Sequence, residues 1–232
     1  MWLKIAGWRR FQPCWKNKEG KIACMRGLFV TLEGPDGSGK TTLSRGLEEK
    51  LREGDLPYIL TREPGGTDIS EKIRGIILDT ENEGMDACCE ALLYAAARAQ
   101  HTREKILPSL EEGRLVISDR YVLSSLAYQG CGREVGIQEV AEINNFATGG
   151  LKPDLVLFLD VDPITVLERK ALSTAQDRLE KESENFHLRV YEGYQQALQY
   201  ADKVKVIDAR QSPSQVIEEA WYTIKKAWEE RR

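Results

Sequence analysis

Residues 28–43 read LFVTLEGPDGSGKTTL: an apolar run that stops at a glycine-rich turn and resumes as a helical segment. No other stretch restricts the fold as tightly. The turn GPDGSGKT fits G-x-x-x-x-G-K-[ST] at every fixed position, with Pro35, Asp36 and Ser38 in the variable places and Thr42 following. Gly34, Gly37 and Gly39 let the backbone wrap with its N–H groups inward, and the helix that opens there points its positive end at the same spot. Lys40 then reaches β and γ phosphates, and the Thr41 hydroxyl can hold Mg²⁺. A strand before the turn and a helix after it are what this phosphate-cradling mechanism requires.

The rest of the 232-residue chain repeats that alternation. Short apolar runs at 28–33, 58–62, 115–119, 155–160 and 203–208 predict five strands. Four of these are nearly continuous in Val, Ile, Leu or Phe, which marks strands buried on both faces of a parallel sheet. Amphipathic stretches at 41–52, 69–78, 86–107, 138–147, 164–172, 179–200 and 215–228 predict helices between and after them. The expected fold is α/β, a P-loop NTPase-type three-layer α/β/α arrangement around a five-stranded parallel sheet. No linker divides the chain, so 27–232 reads as one domain. Residues 1–26 read as an extension outside it, disordered or not native, with Met25 as the natural start.

Composition removes several classes of function. A net charge of −4 argues against nucleic acid as a main partner. No apolar run approaches the length of a membrane span. The five cysteines lack C-x-x-C spacing, and His101 and His187 stand apart, so neither zinc nor a disulfide framework is indicated. Reduced thiols in a cytoplasmic protein are the plain reading.

A phosphate cradle alone does not name an activity. No N-K-x-D segment is present to read guanine. A kinase needs a second anion seat facing the first, and this chain offers one. Arg62 in TREPGG and Arg120 in SDRY end apolar strands, where ligands gather in open α/β sheets. Arg98 and Arg178 lie on segments that follow. Guanidinium forks match phosphate oxygens in bidentate fashion.

From about Gly27 onward the chain resembles the bacterial thymidylate kinases. The matching pieces, in family order, are EGPDGSGKTT, TREPGGT, LLYAAARAQH, SDRYVLSSLAYQG, PDLVLFLDV and DRLE. The resemblance implies transfer of the ATP γ-phosphoryl group to dTMP, with Mg²⁺ as cofactor, in a cytoplasmic homodimer with a mobile lid. It implies ATP on residues 34–42, with Lys40 catalytic and Thr41 and Asp119 in the metal region. Asp36 would meet the sugar 3′-hydroxyl, Tyr94 would stack on thymine, and Arg98 would serve the acceptor base or phosphate. Arg120 would hold the dTMP phosphate, Ser125 and Gln129 would read the thymine edge, and Tyr128 would crowd the sugar 2′ position. Arg62 and Pro64 belong to the segment lining the acceptor site, where the resemblance implies a cis peptide after Glu63.

The lid falls on RKALSTAQDRLE, residues 169–180. The phosphate loop carries no arginine, which places the resemblance with the branch of the family that implies a catalytic arginine from this lid, Arg178 first and Arg169 second. Two rival readings stay open: the same fold acting on another acceptor, such as dUMP or a deoxynucleoside, and a non-catalytic ATP-binding module.

Overall fold

The structure, a computed structural model, describes residues 26–54, 56–162, 165–166, 178–179 and 182–231. The reading of 1–26 as an extension therefore lies outside the described residues except for Arg26, as does most of the expected lid, including Arg169.

Five strands, β1 (Leu28–Glu33), β2 (Tyr58–Arg62), β3 (Leu115–Asp119), β4 (Leu155–Asp160) and β5 (Val204–Asp208), form one parallel sheet in the order β2-β3-β1-β4-β5. Val30 stands level with Ile117 on one side and Leu155 on the other, which centres β1. Among the described residues the helices are α1 (Lys40–Arg52), α2 (Asp68–Leu78), α3 (Ala87–His101), α4 (Leu107–Glu111), α5 (Val122–Ser125), α6 (Ile137–Thr148), α7 (Glu184–Ala197) and α8 (Pro213–Glu230).

Alternation along the strands gives each face of the sheet a buried apolar side. Leu155, Leu157 and Leu159 of β4 pack with Leu43 and Leu47 of α1 and with Ala220 and Ile224 of α8. Val156 and Phe158, on the other face, pack with Ala91 of α3 and with Phe186, Val190 and Tyr194 of α7. The strand period of two sends neighbours to opposite faces, so an unbroken apolar run is what a sheet covered on both sides demands. Each fully buried leucine contributes about 1.5–3 kcal/mol by leaving water. The three-layer expectation is met.

Four strands coincide with the sequence reading, and β5 begins one residue later. The predicted helix over 86–107 is α3 followed by a π-helical turn, Thr102–Ile106, that runs on into α4. Asp86 caps α3 by accepting from the Cys88 and Cys89 N–H groups. The predicted helix over 179–200 starts later, at Glu184, where the Ser183 side chain caps it. Of the predicted helix over 164–172, only residues 165–166 are described, and both are helical.

Sequence reading missed α5 and the π-helical turn Leu126–Gly132 that continues it. The glycines in YQGCG suggest a loop, but they serve packing. A Cβ on Gly132 would come within 2.8 Å of the Phe186 ring, and one on Gly193 of α7 within 2.7 Å of the Cys131 Cβ. These glycines let α7 lie directly against the turn, which carries site residues on its inner side.

Candidate active site

The site forms at the carboxyl ends of β1 and β3, where the chain leaves β1 toward β2 while β4 joins on the opposite flank. The loop after β1 wraps around the Lys40 side chain. Its Nζ donates to the carbonyls of Gly34 (2.8 Å) and Pro35 (2.9 Å) and lies 3.4 Å from the Ser38 hydroxyl. Gly37 and Gly39 hold positive φ, as the wrapped backbone needs, and no side chain caps α1 at Gly39. Its first N–H groups thus remain for an anion. Lys40 is buried. Burial, then the Arg120 charge, pull its pKa down to about 8, against the opposing pull of Asp119, Asp36 and Glu33. A phosphate beside it restores the charged form.

Asp36, inside the loop, joins this region to a second cavity. Its carboxylate pairs with the Arg120 guanidinium and accepts from the Tyr128 hydroxyl at 2.7 Å. Arg120 also donates to the Gly34 carbonyl (3.2 Å), Ser124 Oγ (3.0 Å) and Tyr194 Oη (3.0 Å), and its guanidinium lies 5.1 Å from the centre of the Tyr128 ring. Burial disfavours its cation, but Asp36, with Tyr128, Tyr194 and Asp119, more than offsets this and raises its pKa further. The Arg120 backbone is left-handed, with φ 72°. A non-glycine residue adopts this at a cost of about 1–2 kcal/mol, and such strain concentrates at functional sites. Glu33 supports the arrangement from the end of β1, accepting from Ser124 Oγ at 2.6 Å and from the Tyr121 N–H at 2.9 Å. Burial raises its pKa.

The second cavity is lined by Asp36, Glu63, Pro64, Arg74, Leu78, Tyr94, Arg120, Ser124, Ser125, Tyr128, Gln129 and Leu179. Seven of the expected acceptor-site residues thus share one cavity: Asp36, Pro64, Tyr94, Arg120, Ser125, Tyr128 and Gln129. The Glu63–Pro64 peptide is cis. A further cavity borders the phosphate loop at Gly37, Ser38, Gly39 and Thr42, walled by Leu159, Gln211 and Pro213.

Three arginines sit elsewhere than expected. Arg62 is half exposed and forms a two-pronged pair with Glu71 at 2.9–3.0 Å. Arg74 of α2 lines the cavity instead, and both arginines donate to the Pro64 carbonyl, Arg62 at 2.7 Å and Arg74 at 3.0 Å. Arg98 is fully buried behind the cavity rather than lining it. Its Nε holds Glu63 at 2.6 Å, and its remaining nitrogens bind Ser125 Oγ (2.9 Å), Asn144 Oδ1 and the Tyr121 carbonyl (2.9 Å). A guanidinium has five N–H bonds, and four are committed to the protein. Glu63 is gripped from its other side by His101 at 2.9 Å. Arg178 is also buried, and its guanidinium is held by Glu90 (2.5 Å) and the Ile77 carbonyl (2.9 Å). A carboxylate buried as deeply as Glu90 draws in a cation to offset its lost hydration, and this keeps Arg178 out of the cavity wall.

Asp119 closes β3 with its Oδ1 buried and without a hydrogen-bond donor. An anionic oxygen in that position suits a hard cation, and Thr41 is the second residue of α1. No cluster of three or more His, Cys, Asp or Glu suited to a metal occurs among the described residues. Sequence reasoning missed Arg74, Ser124, Glu33 and Glu90. The first two follow helical spacing alone, and the carboxylates sit in apolar or helical runs that give no site signal.

A phosphate loop that shares one aspartate with an arginine-walled cavity is the architecture of a P-loop kinase working between two phosphorylated ligands. The family model for thymidylate kinase matches residues 32–220. A thymidylate kinase of Finegoldia magna is 53% identical over 199 residues, 86% of this chain and 98% of that protein. Those of Lactobacillus delbrueckii subsp. bulgaricus and Clostridium novyi are 52% and 49% identical over 210 and 197 residues, covering 89% and 84% of this chain and 99% and 96% of theirs. The chain belongs to the thymidylate kinase family.

Proposed function

We infer that this chain transfers the γ-phosphoryl group of ATP to dTMP, giving dTDP and ADP. The observation that carries the reading is the Asp36–Arg120 pair, which makes one wall common to the phosphate loop and the acceptor cavity. ATP phosphates lie on the loop N–H groups and Lys40, with the adenosine end toward Thr42, Gln211 and Pro213. The dTMP phosphate lies on Arg120, with Arg74 beside it. A phosphate acceptor is already anionic near neutral pH, so its oxygen attacks the γ phosphorus without a strong base and the bond to ADP breaks in line. The protein's task is to hold two polyanions in place and offset their charge.

Tyr94 stacks on the base, Ser125 and Gln129 meet its edge, Tyr128 crowds the 2′ position, and Asp36 meets the 3′-hydroxyl. Thr41 and Asp119 are the residues that would hold Mg²⁺. When bound, that ion would offset the negative charge that develops on the transferred phosphoryl group. No helix among the described residues is long and apolar enough to cross a membrane, and a cytoplasmic setting suits the reading. The test is turnover with ATP and Mg²⁺ over a panel of dTMP, dUMP, the ribonucleotide of thymine, and thymidine. Strong preference for dTMP is expected. Turnover of no acceptor supports the non-catalytic module, and equal use of dUMP overturns the assigned base.

We further infer a homodimer. Ile69 and Ile76 of α2 are each 50% exposed, Leu92 of α3 is 55% exposed and Phe146 of α6 is 74% exposed. These helices pack side by side, so their exposed side chains extend one apolar face, and such a face suits a self-complementary contact. Phe146→Glu is expected to convert the protein to monomers in sedimentation velocity. An unshifted dimer, or a monomeric wild type, refutes this face.

A further inference from the structure

Glu90 lies at the start of α3 with no exposed surface, and the phosphoryl transfer described above does not use it. Four contacts converge on its carboxylate. Gln129 Nε2 donates to Oε1 at 2.9 Å, Arg178 donates to Oε2 at 2.5 Å, and Arg133 Nε spans both oxygens at 3.3 and 3.2 Å. Two guanidiniums against one carboxylate leave an excess positive charge, and Glu182 balances it by pairing with Arg133 at 2.6 Å. Removing a carboxylate from water is costly unless its oxygens are fully bonded, and here they are.

The Gln129 contact settles the orientation of an amide in the acceptor cavity. A carboxylate only accepts hydrogen bonds, so the amide end facing Glu90 is the NH₂ group. That turns the carbonyl end of Gln129 toward the cavity as an acceptor. Ser125 is fixed by the same logic. Its oxygen accepts from Arg98, which can only donate, so its proton remains for a ligand. An acceptor from Gln129 and a donor from Ser125 match a base edge that offers N–H beside C=O, the imide edge of thymine or uracil. In the same pose cytosine turns its bare ring nitrogen to the Gln129 carbonyl and its amino group to the Ser125 proton, so acceptor meets acceptor and donor meets donor.

We propose that Glu90 is a specificity-determining positioning residue: by binding the NH₂ end of Gln129 it commits the cavity to imide bases and against cytosine. The inference rests on the assignment of this cavity to the acceptor nucleotide. With Glu90→Gln, the new amide can donate as well as accept, so Gln129 is free to turn over.

The test compares kcat/KM for dTMP and dCMP in wild type, Glu90→Gln and Glu90→Asp, each checked by circular dichroism and melting. In Glu90→Gln the dTMP-over-dCMP ratio is expected to fall about 10-fold or more, the scale of one misdirected hydrogen bond at a buried polar group. The loss should lie mostly in the dTMP KM. Glu90→Asp keeps an acceptor-only group and should retain most of the ratio. A purely structural role lowers turnover of both nucleotides together, and a folded Glu90→Gln enzyme with the wild-type ratio overturns the proposal. A second measurement needs no substitution at Glu90. In the wild type, the side-chain NH₂ signals of Gln129, assigned by their loss in Gln129→Met, should be protected from exchange with and without dTMP. Rapid exchange in both states overturns the proposal even if the Glu90 variants do not fold. Failure of wild type to phosphorylate dTMP would instead refute the acceptor assignment itself.

Discussion

Lys40→Met is expected to lose turnover by about 10²–10³ or more, the effect of removing one charge-stabilising donor from a phosphoryl-transfer or oxyanion site, while melting no lower than wild type at pH 7. The two halves have one cause. The ammonium is buried, and its pKa falls from 10.5 to about 8, mainly through burial and then through Arg120. Between those values the unfolded chain binds more protons than the folded one, so the lysine's contribution makes stability rise with pH across that window. Below about pH 8 the full penalty for burying the charge is present. Methionine fills a similar volume without it, and this offsets the loss of bonds to the Gly34 and Pro35 carbonyls. The variant should therefore lack the stability gain that wild type shows between pH 8 and 10. Phosphate binding should return the proton, so ATP binding near pH 8 should take up protons, measurable by titration calorimetry in buffers of different ionisation enthalpy. A Met variant that melts several degrees lower at pH 7, or wild-type binding at pH 8 with no proton uptake, would show that this lysine is not under such strain.

How far the fold was legible depends on which signals are local. β1, β3 and β4 could be read because a strand covered on both faces has no polar alternation to hide it. The phosphate loop could be read because its glycines and Lys40 serve one backbone geometry. Tyr94, Arg120, Ser125, Tyr128 and Gln129 were reached through resemblance to a family, and the structure gathers them around one cavity. The arginines were harder, because a sequence shows a guanidinium but not the carboxylate that captures it. Arg62 pairs with Glu71, Arg98 with Glu63 and Arg178 with Glu90. Each partner is at least nine residues away in the chain, so no spacing rule exposes it. The helical run 122–132 was missed for a related reason. Gly132 reads as a turn residue until Phe186, over fifty positions later, is seen to press on it.

Arg120→Ala is expected to raise the KM for dTMP by about 10²-fold while the KM for ATP changes by less than about threefold. This residue joins the two sites. It pairs with Asp36, braces the Gly34 carbonyl and meets Ser124, which Glu33 in turn fixes. Losing one member of a buried ion pair typically costs about 3–5 kcal/mol because the other is left behind; this pair is partly exposed and Asp36 retains the Tyr128 hydroxyl, so the cost falls below that range. Arg120→Lys should not rescue dTMP binding, since a point charge cannot make the forked contacts that meet Asp36 and Gly34 together. The backbone supplies an independent check. At φ 72° an alanine still carries the left-handed penalty and a glycine does not, so Arg120→Gly should be more stable than Arg120→Ala by about 1–2 kcal/mol. Both should show the same defect with dTMP, because both lack the guanidinium. Equal melting of the two variants would mean the backbone at this position is not strained, and a dTMP KM within threefold of wild type in Arg120→Ala would move the phosphate seat away from the end of β3.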